Sequence, residues 1–100
     1  MDLSYKTPTE LQEILGQRLR ELRLDRELTQ SAVAEKAGTS LRTIQKLERG
    51  EGSTVDTLMR FLKAVDGVVA LNAIGPEPTI SPIAILKAEN QRRQRVRKRK

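Results

Sequence analysis

Residues 28–50, LTQSAVAEKAGTSLRTIQKLERG, contain the pattern that decides the fold of this chain. They predict two short helices joined by a tight turn, because Thr29 and Ser40 are good helix caps and Gly38 is a good helix stop. A Ser or Thr side chain at a helix start accepts a hydrogen bond from an otherwise unpaired amide, and Gly past a helix end adopts the left-handed conformation easily. Gly50 is expected to end the second helix in the same way.

The two predicted helices share an apolar inner face and carry a polar outer face. Apolar residues recur at intervals of three and four, as two helices packed together require. These residues are Val33, Ala34, Ala37, Leu41, Ile44 and Leu47. Hydrogen-bond donors fill the outward positions of the second helix, where they occur as Ser40, Arg42, Thr43, Gln45, Lys46 and Arg49. Because only one acid, Glu48, interrupts them, this face suits contacts with base edges and phosphates.

This stretch resembles the helix-turn-helix of the Xre/Cro family of phage-repressor-like DNA-binding proteins. The resemblance extends from about Leu15 to Val65. The residues that carry it are Thr29-Gln30, Ala34-Glu35-Lys36-Ala37-Gly38, Ser40 through Ile44, and Leu47-Glu48-Arg49-Gly50. It implies that the first helix of the pair anchors on the DNA backbone and that the second lies in the major groove.

The resemblance also implies which residues contact DNA. Gln30 matches the family's phosphate-clamping glutamine, and Thr43 and Arg49 are placed for phosphates. The base-facing positions are Ser40, Leu41, Arg42, Gln45 and Lys46. Arg42 would hold guanine and Gln45 would hold adenine, each through two hydrogen bonds.

Two positions need separate interpretation. Leu41 departs from the family, in which a polar residue is common there, so it is expected to touch a thymine methyl or to contribute little. Glu48 matches a structural glutamate that pairs with an arginine of the preceding long helix, either Arg20 or Arg23.

The composition argues against an enzyme. The 100 residues have room for one domain and a tail, and they include neither Cys nor His. The usual general base, nucleophile and zinc ligands are therefore missing, and we expect no catalysis, no metal and no cofactor. Apolar runs far shorter than the roughly 20 residues of a membrane span, and an N-terminus without an apolar core, predict a soluble cytoplasmic protein with no membrane partner.

The flanking sequence predicts an all-α fold, a compact bundle of four to five helices with a basic C-terminal tail. Thr7-Pro8-Thr9-Glu10 is a strong helix start for a helix that reaches about Asp25. Its apolar stripe is Leu11, Ile14, Leu15, Leu19 and Leu22, and its opposite, solvated face is Arg18, Arg20, Glu21 and Arg23, from which one arginine could contact a phosphate. A further capped helix follows residues 51–54 and ends at Gly67; its core-facing residues are Val55, Leu58, Met59, Phe61, Leu62 and Val65.

Three segments are predicted along the chain. Residues 1–74 form the helix-turn-helix domain, residues 75–80 a linker interrupted by two prolines, and residues 81–100 a basic segment that begins with Ser81-Pro82. Residues 68–74 permit a strand or a helical turn, and we favour the helix. This apolar stretch either forms a homodimer interface or completes the bundle, and a small aliphatic domain would gain stability from dimerisation.

Charge is concentrated at the C-terminus. Residues 87–100 hold eight basic residues and one acid, net +7, whereas residues 1–86 hold eleven basic and twelve acidic residues, net −1. A run of Gln, Arg and Lys such as the last ten residues is usually disordered in isolation. Residues 91–100 could follow DNA phosphates, dock on an acidic groove of a protein, or serve only solubility.

The layout predicts a sequence-specific transcriptional regulator bound to operator DNA. A helix-turn-helix, a Pro-Glu-Pro linker and an Arg-rich end are together similar to antitoxin-type Xre regulators encoded beside HipA-like kinase toxins. That similarity implies an autorepressor with a kinase toxin as partner. A free-standing Xre-type repressor remains an alternative, as does a protein-bridging or RNA-associated module, for which Arg42→Ala and Gln45→Ala would leave function intact.

Overall fold

The computed structural model describes residues 2–77 and 82–98, without the side chains of residues 82, 84 and 95–98. The described residues contain no strand, so the predicted all-α class is confirmed. The helices are α1 (Pro8–Asp25), α2 (Gln30–Ala37), α3 (Leu41–Glu48), α4 (Val55–Ala64), a 3₁₀-helix (Val68–Ala73) and α5 (Pro82–Lys98).

The predicted capping box at the start of α1 is present. The Thr7 hydroxyl accepts from the Glu10 amide at 3.1 Å, and the Thr7 amide donates to the Glu10 carboxylate at 3.1 Å. The bond from the Thr7 amide, the Thr7 hydroxyl and nearby Lys6 all favour the carboxylate, so they lower the pKa of exposed Glu10 below its ordinary value.

The predicted limits of α2 and α3 are also confirmed. Thr29 and Ser40 cap the two helices through bonds from the amides of Ala32 and Thr43. Gly38 ends α2 in the left-handed region at φ 68°, and the turn that follows brings α3 back across α2.

The core lies where α2 packs against α3 and α4 while α1 packs against α3. Its four fully buried large side chains are Val33, Ile44, Phe61 and Val65. Leu11 and Leu15 of the predicted apolar stripe of α1 are exposed, at 38% each. Leu41 of the predicted inner face is 41% exposed and Val55 of the predicted core-facing set of α4 is 74% exposed, so these two assignments are wrong. Both are the first residue of their helix, so they project beyond the edge at which the helices pack.

Three arginines connect the helices through contacts that the spacing of polar residues does not predict. Arg23, predicted on the solvated face of α1, is instead only 7% exposed. Arg26 donates to the Val65 carbonyl at 2.9 Å and so ties the end of α1 to the end of α4. Arg60 donates to the Ala37 carbonyl at 3.3 Å at the end of α2.

The C-terminal part resolves one alternative. Residues 68–73 are helical rather than a strand, although the helix is 3₁₀ and none of its residues is buried. α5 continues through Lys98, against the expectation of disorder, because Gln, Arg and Lys are good helix formers. Ser81 and residues 78–80 of the predicted linker lie outside the described residues. Among the helices that the structure describes, none combines the length and the apolar character needed to cross a bilayer.

Candidate nucleic-acid interface

The outer face of α3 presents polar side chains that make no hydrogen bond or ion pair with the residues that the structure describes. Arg42 and Lys46 are exposed and Gln45 is half-buried. Within the described part of the chain, none of these three side chains donates a hydrogen bond to another group or accepts one from it. Their opposite neighbours Ile44 and Leu47 fix the helix in the core. The face therefore offers fixed positions with free donors, as base contacts require.

Ser40 and Thr43 are engaged with each other at the start of α3. The Ser40 oxygen lies 2.7 Å from the Thr43 hydroxyl and accepts from the Thr43 amide at 3.1 Å. In a pair of hydroxyls only one proton lies between the oxygens, so the second hydroxyl can still donate outward. These two residues consequently combine a capping role with one free donor.

Arg49 lies just past the end of α3 and is paired. Its Nη2 is 3.0 Å from the Glu51 carboxylate, and both side chains are about half exposed. An exposed pair of this kind contributes less than about 1 kcal/mol, so a phosphate can replace Glu51 as the partner of Arg49. Leu41 contributes an exposed apolar side chain at the other end of the helix.

A concavity of about 290 Å³, lined mainly by hydroxyl residues, lies beside α3 and was not anticipated from the sequence. Its lining is Thr43, Lys46, Gly52, Ser53, Thr54 and Thr57. Thr54 caps α4 there by accepting from the Thr57 amide. A signal for it existed, because hydroxyl residues cluster around a helix cap that directly follows α3.

Gln30 is the first residue of α2, and a hydrogen bond to Glu48 fixes its side chain. Its Nε2 donates to Glu48 Oε1 at 3.1 Å, and the residue is half-buried. The Thr29 cap satisfies the Ala32 amide. The amides of the first two helical residues have no partner inside a helix, so those of Gln30 and Ser31 are available to an external anion.

Glu48 braces the fold, as the family resemblance implied. Its carboxylate accepts from Arg23 Nε at 2.6 Å and from Arg23 Nη2 at 3.0 Å, which makes a buried bidentate ion pair. Arg23 also donates to the Leu28 carbonyl at 2.8 Å. Of the two arginines considered, Arg23 is the partner, and Arg20 is exposed. The pair joins α1 to the end of α3 and so fixes the angle of the exposed polar face.

Comparison with known proteins agrees with this geometry. A family model described as a helix-turn-helix domain matches residues 14–71. The chain is similar to a candidate HTH-type transcriptional regulatory protein of Pyrococcus furiosus, with 35% identity over 74% of this chain and 21% of that protein. It is also similar to one of Methanospirillum hungatei, with 33% identity over 89% of this chain and 26% of that protein. It thus spans about a fifth to a quarter of the length of these relatives. Because the family model matches more than half of the chain, including α2 and α3, the chain belongs to the helix-turn-helix family.

Proposed function

We propose that this chain is a sequence-specific DNA-binding transcriptional regulator that acts by occupying operator DNA rather than by catalysis. The observation that carries the proposal is the exposed face of α3, where Arg42, Gln45 and Lys46 have no partner among the described residues. α3 would enter the major groove. The first turn of α2 and the concavity beside Thr43 would contact the phosphates on either side. The names of the two relatives agree with this role.

Replacement of the base-facing side chains is expected to relax sequence choice without unfolding the domain. A DNA sequence is first enriched from a random pool by the unchanged protein. Arg42→Ala and Gln45→Ala should then each lose about 1–3 kcal/mol of discrimination at one base pair, the value of a two-bond contact. Binding titrations against single-base variants of the enriched site measure this.

The matched control is Lys63→Ala, which removes an exposed side chain of α4 outside the two-helix motif. It should leave base discrimination unchanged. If the Arg42→Ala and Gln45→Ala proteins select the same sequence as strongly as the parent does, the base-reading role of α3 is wrong. Failure of the random pool to yield any preferred sequence would argue instead for a protein-bridging or RNA-associated module.

The basic helix α5 would add contacts with phosphates that do not depend on sequence. Arg92 and Arg93 are exposed on it. Each lost phosphate contact flattens the log–log salt dependence of binding by about 0.9, so Arg92→Gln/Arg93→Gln should reduce the slope by about 1.8. Lys63→Gln removes one charge from an exposed residue of α4 outside the two-helix motif, so it serves as the control and should leave the slope unchanged. An unchanged slope in Arg92→Gln/Arg93→Gln would exclude α5 from the interface.

The finer proposals are a homodimer and an antitoxin role. Exposed apolar side chains in and after the 3₁₀-helix, Val69 at 72% and Ile74 at 81%, support a self-association surface there. A dimer would set two α3 helices about 34 Å apart along the DNA. The role of autorepressor and antitoxin to a HipA-like kinase is supported by the sequence layout alone. Co-purification from the native host of a kinase together with the promoter of its own operon tests it, and recovery of DNA without a kinase would favour a free-standing repressor.

A further inference from the structure

Glu48 receives hydrogen bonds from two different helices. Its side chain, 3% exposed, accepts from Arg23 of α1 and from Gln30 of α2. Oε1 takes both Arg23 Nη2 at 3.0 Å and Gln30 Nε2 at 3.1 Å. The Arg23 bonds alone suffice to brace α1 against α3. The bond to Gln30 adds a connection from this buried pair to a residue at the protein surface.

That bond fixes which way the Gln30 amide faces. A carboxylate can only accept, so the nitrogen of Gln30 must face Glu48 and its oxygen must face away. An amide nitrogen carries two protons, of which Glu48 takes one. The second N–H stays available at the start of α2, next to the amides of Gln30 and Ser31, for which the described residues provide no partner.

We propose that Glu48 is a positioning residue for DNA binding, which holds the Gln30 side chain so that its second N–H points at a DNA phosphate. This inference rests on the proposed function. The bond to Glu48 orders the Gln30 side chain in the free protein, so binding DNA does not have to bear the entropic cost of ordering it. Arg23 makes the arrangement electrostatically possible, because its guanidinium neutralises a carboxylate that would otherwise repel the phosphate.

The test measures the affinity of the full chain for a labelled duplex of fixed, arbitrary sequence, since a phosphate contact does not depend on sequence. Gln30→Ala should weaken binding about tenfold, the value of a hydrogen bond to a charged group. Its salt slope should stay unchanged, because a neutral amide releases no counterion. Glu48→Gln leaves a single acceptor oxygen, which Arg23 takes, and should weaken binding about threefold to tenfold.

The decisive measurement is the combination of the two changes. In a Gln30→Ala background, Glu48→Gln should cause no further loss of affinity beyond about twofold, whereas a purely structural glutamate would give independent losses. A second readout needs no DNA: the two side-chain amide protons of Gln30 should differ more in NMR shift in the parent than in a free glutamine, and Glu48→Gln should return the difference to that of a free glutamine. If Glu48→Gln does not fold, the Arg23→Met/Glu48→Leu pair replaces it in the same cycle.

The outcomes separate this inference from the proposed function. If the parent binds neither this duplex nor any sequence from the random pool, the proposed function and the inference both fail. If the parent binds and Gln30→Ala binds equally well, or if the two losses are independent, only the inference is overturned. Three results together support the inference: Gln30→Ala loses affinity, adding Glu48→Gln to it causes no further loss, and Glu48→Gln alone reduces the difference between the two Gln30 amide proton shifts.

Discussion

Gly50→Ala is expected to lower the free energy of unfolding by about 2–4 kcal/mol, through conformational strain and crowding together. Gly50 has φ 75°, in the left-handed region that side chains disfavour. An alanine Cβ there would lie 2.5 Å from the Glu13 Cα and 2.7 Å from the Glu13 nitrogen. Because these are backbone atoms of α1, the whole helix would have to move away from the end of α3. Urea denaturation followed by circular dichroism measures the change.

Two other glycines separate the two causes. Gly38 has φ 68°, but an alanine Cβ at this position would have the flexible Arg60 Nη1 as its nearest neighbour, at 3.5 Å. Gly38→Ala should therefore show the strain alone, about 1–2 kcal/mol. An alanine Cβ at Gly75 would have no heavy atom of the described residues within 4 Å apart from its chain neighbours, so Gly75→Ala should change stability by less than about 0.5 kcal/mol. Equal losses at Gly50 and Gly38 would contradict a close crossing of α1 over α3.

Gly16 shows that the crossing extends along α1. An alanine Cβ there would collide with the backbone of Glu48 and would lie 2.8 Å from the Leu47 carbonyl oxygen. No sequence pattern indicates this contact, because a glycine inside a helical pattern reads only as a weak position in the helix. Close approach between two segments is a property of the assembled fold.

Helix starts were predictable because their causes are local, whereas α4 ends at Ala64 and not at the predicted Gly67. Thr7, Thr29, Ser40 and Thr54 each accept from an amide three residues ahead, so the cap and its partner lie in one short window of sequence. The apolar intervals likewise identified the buried faces of α2 and of α3, except at Leu41.

The candidate site was predictable only in part, because its remaining contacts join distant residues. Polarity placed Arg23 on the solvated face, while its partner Glu48 lies 25 residues away. The family resemblance, rather than any pattern in α1, indicated that Glu48 needs an arginine there. Gln30 was predicted to contact a phosphate. Nothing in the neighbouring sequence indicated its hydrogen bond to Glu48, which lies 18 residues further along the chain.

Arg23→Met is expected to destabilise the domain by about 3–5 kcal/mol, because it leaves the Glu48 carboxylate buried without its charge partner. Both side chains are less than 10% exposed, at 8% for Arg23 and 3% for Glu48, so water cannot replace the lost bonds. Because folded domains are stable by only about 5–15 kcal/mol, this loss is a large part of the total. Thermal and urea unfolding measure it, with Arg20→Met, an exposed arginine of the same helix, as the matched control.

Removing both charges should restore most of that stability. In Arg23→Met/Glu48→Leu, apolar side chains of similar size fill the same buried space, so no charge remains to be desolvated, and we expect stability within about 2 kcal/mol of the parent. If the double variant is as unstable as Arg23→Met alone, the pair is needed for packing and its charges are not the cause.

The double variant also lacks the acceptor that orients Gln30. A protein that regains its fold but still binds DNA as weakly as Glu48→Gln would show that this buried charge serves binding through Gln30, and stability alone would not account for a carboxylate at this position.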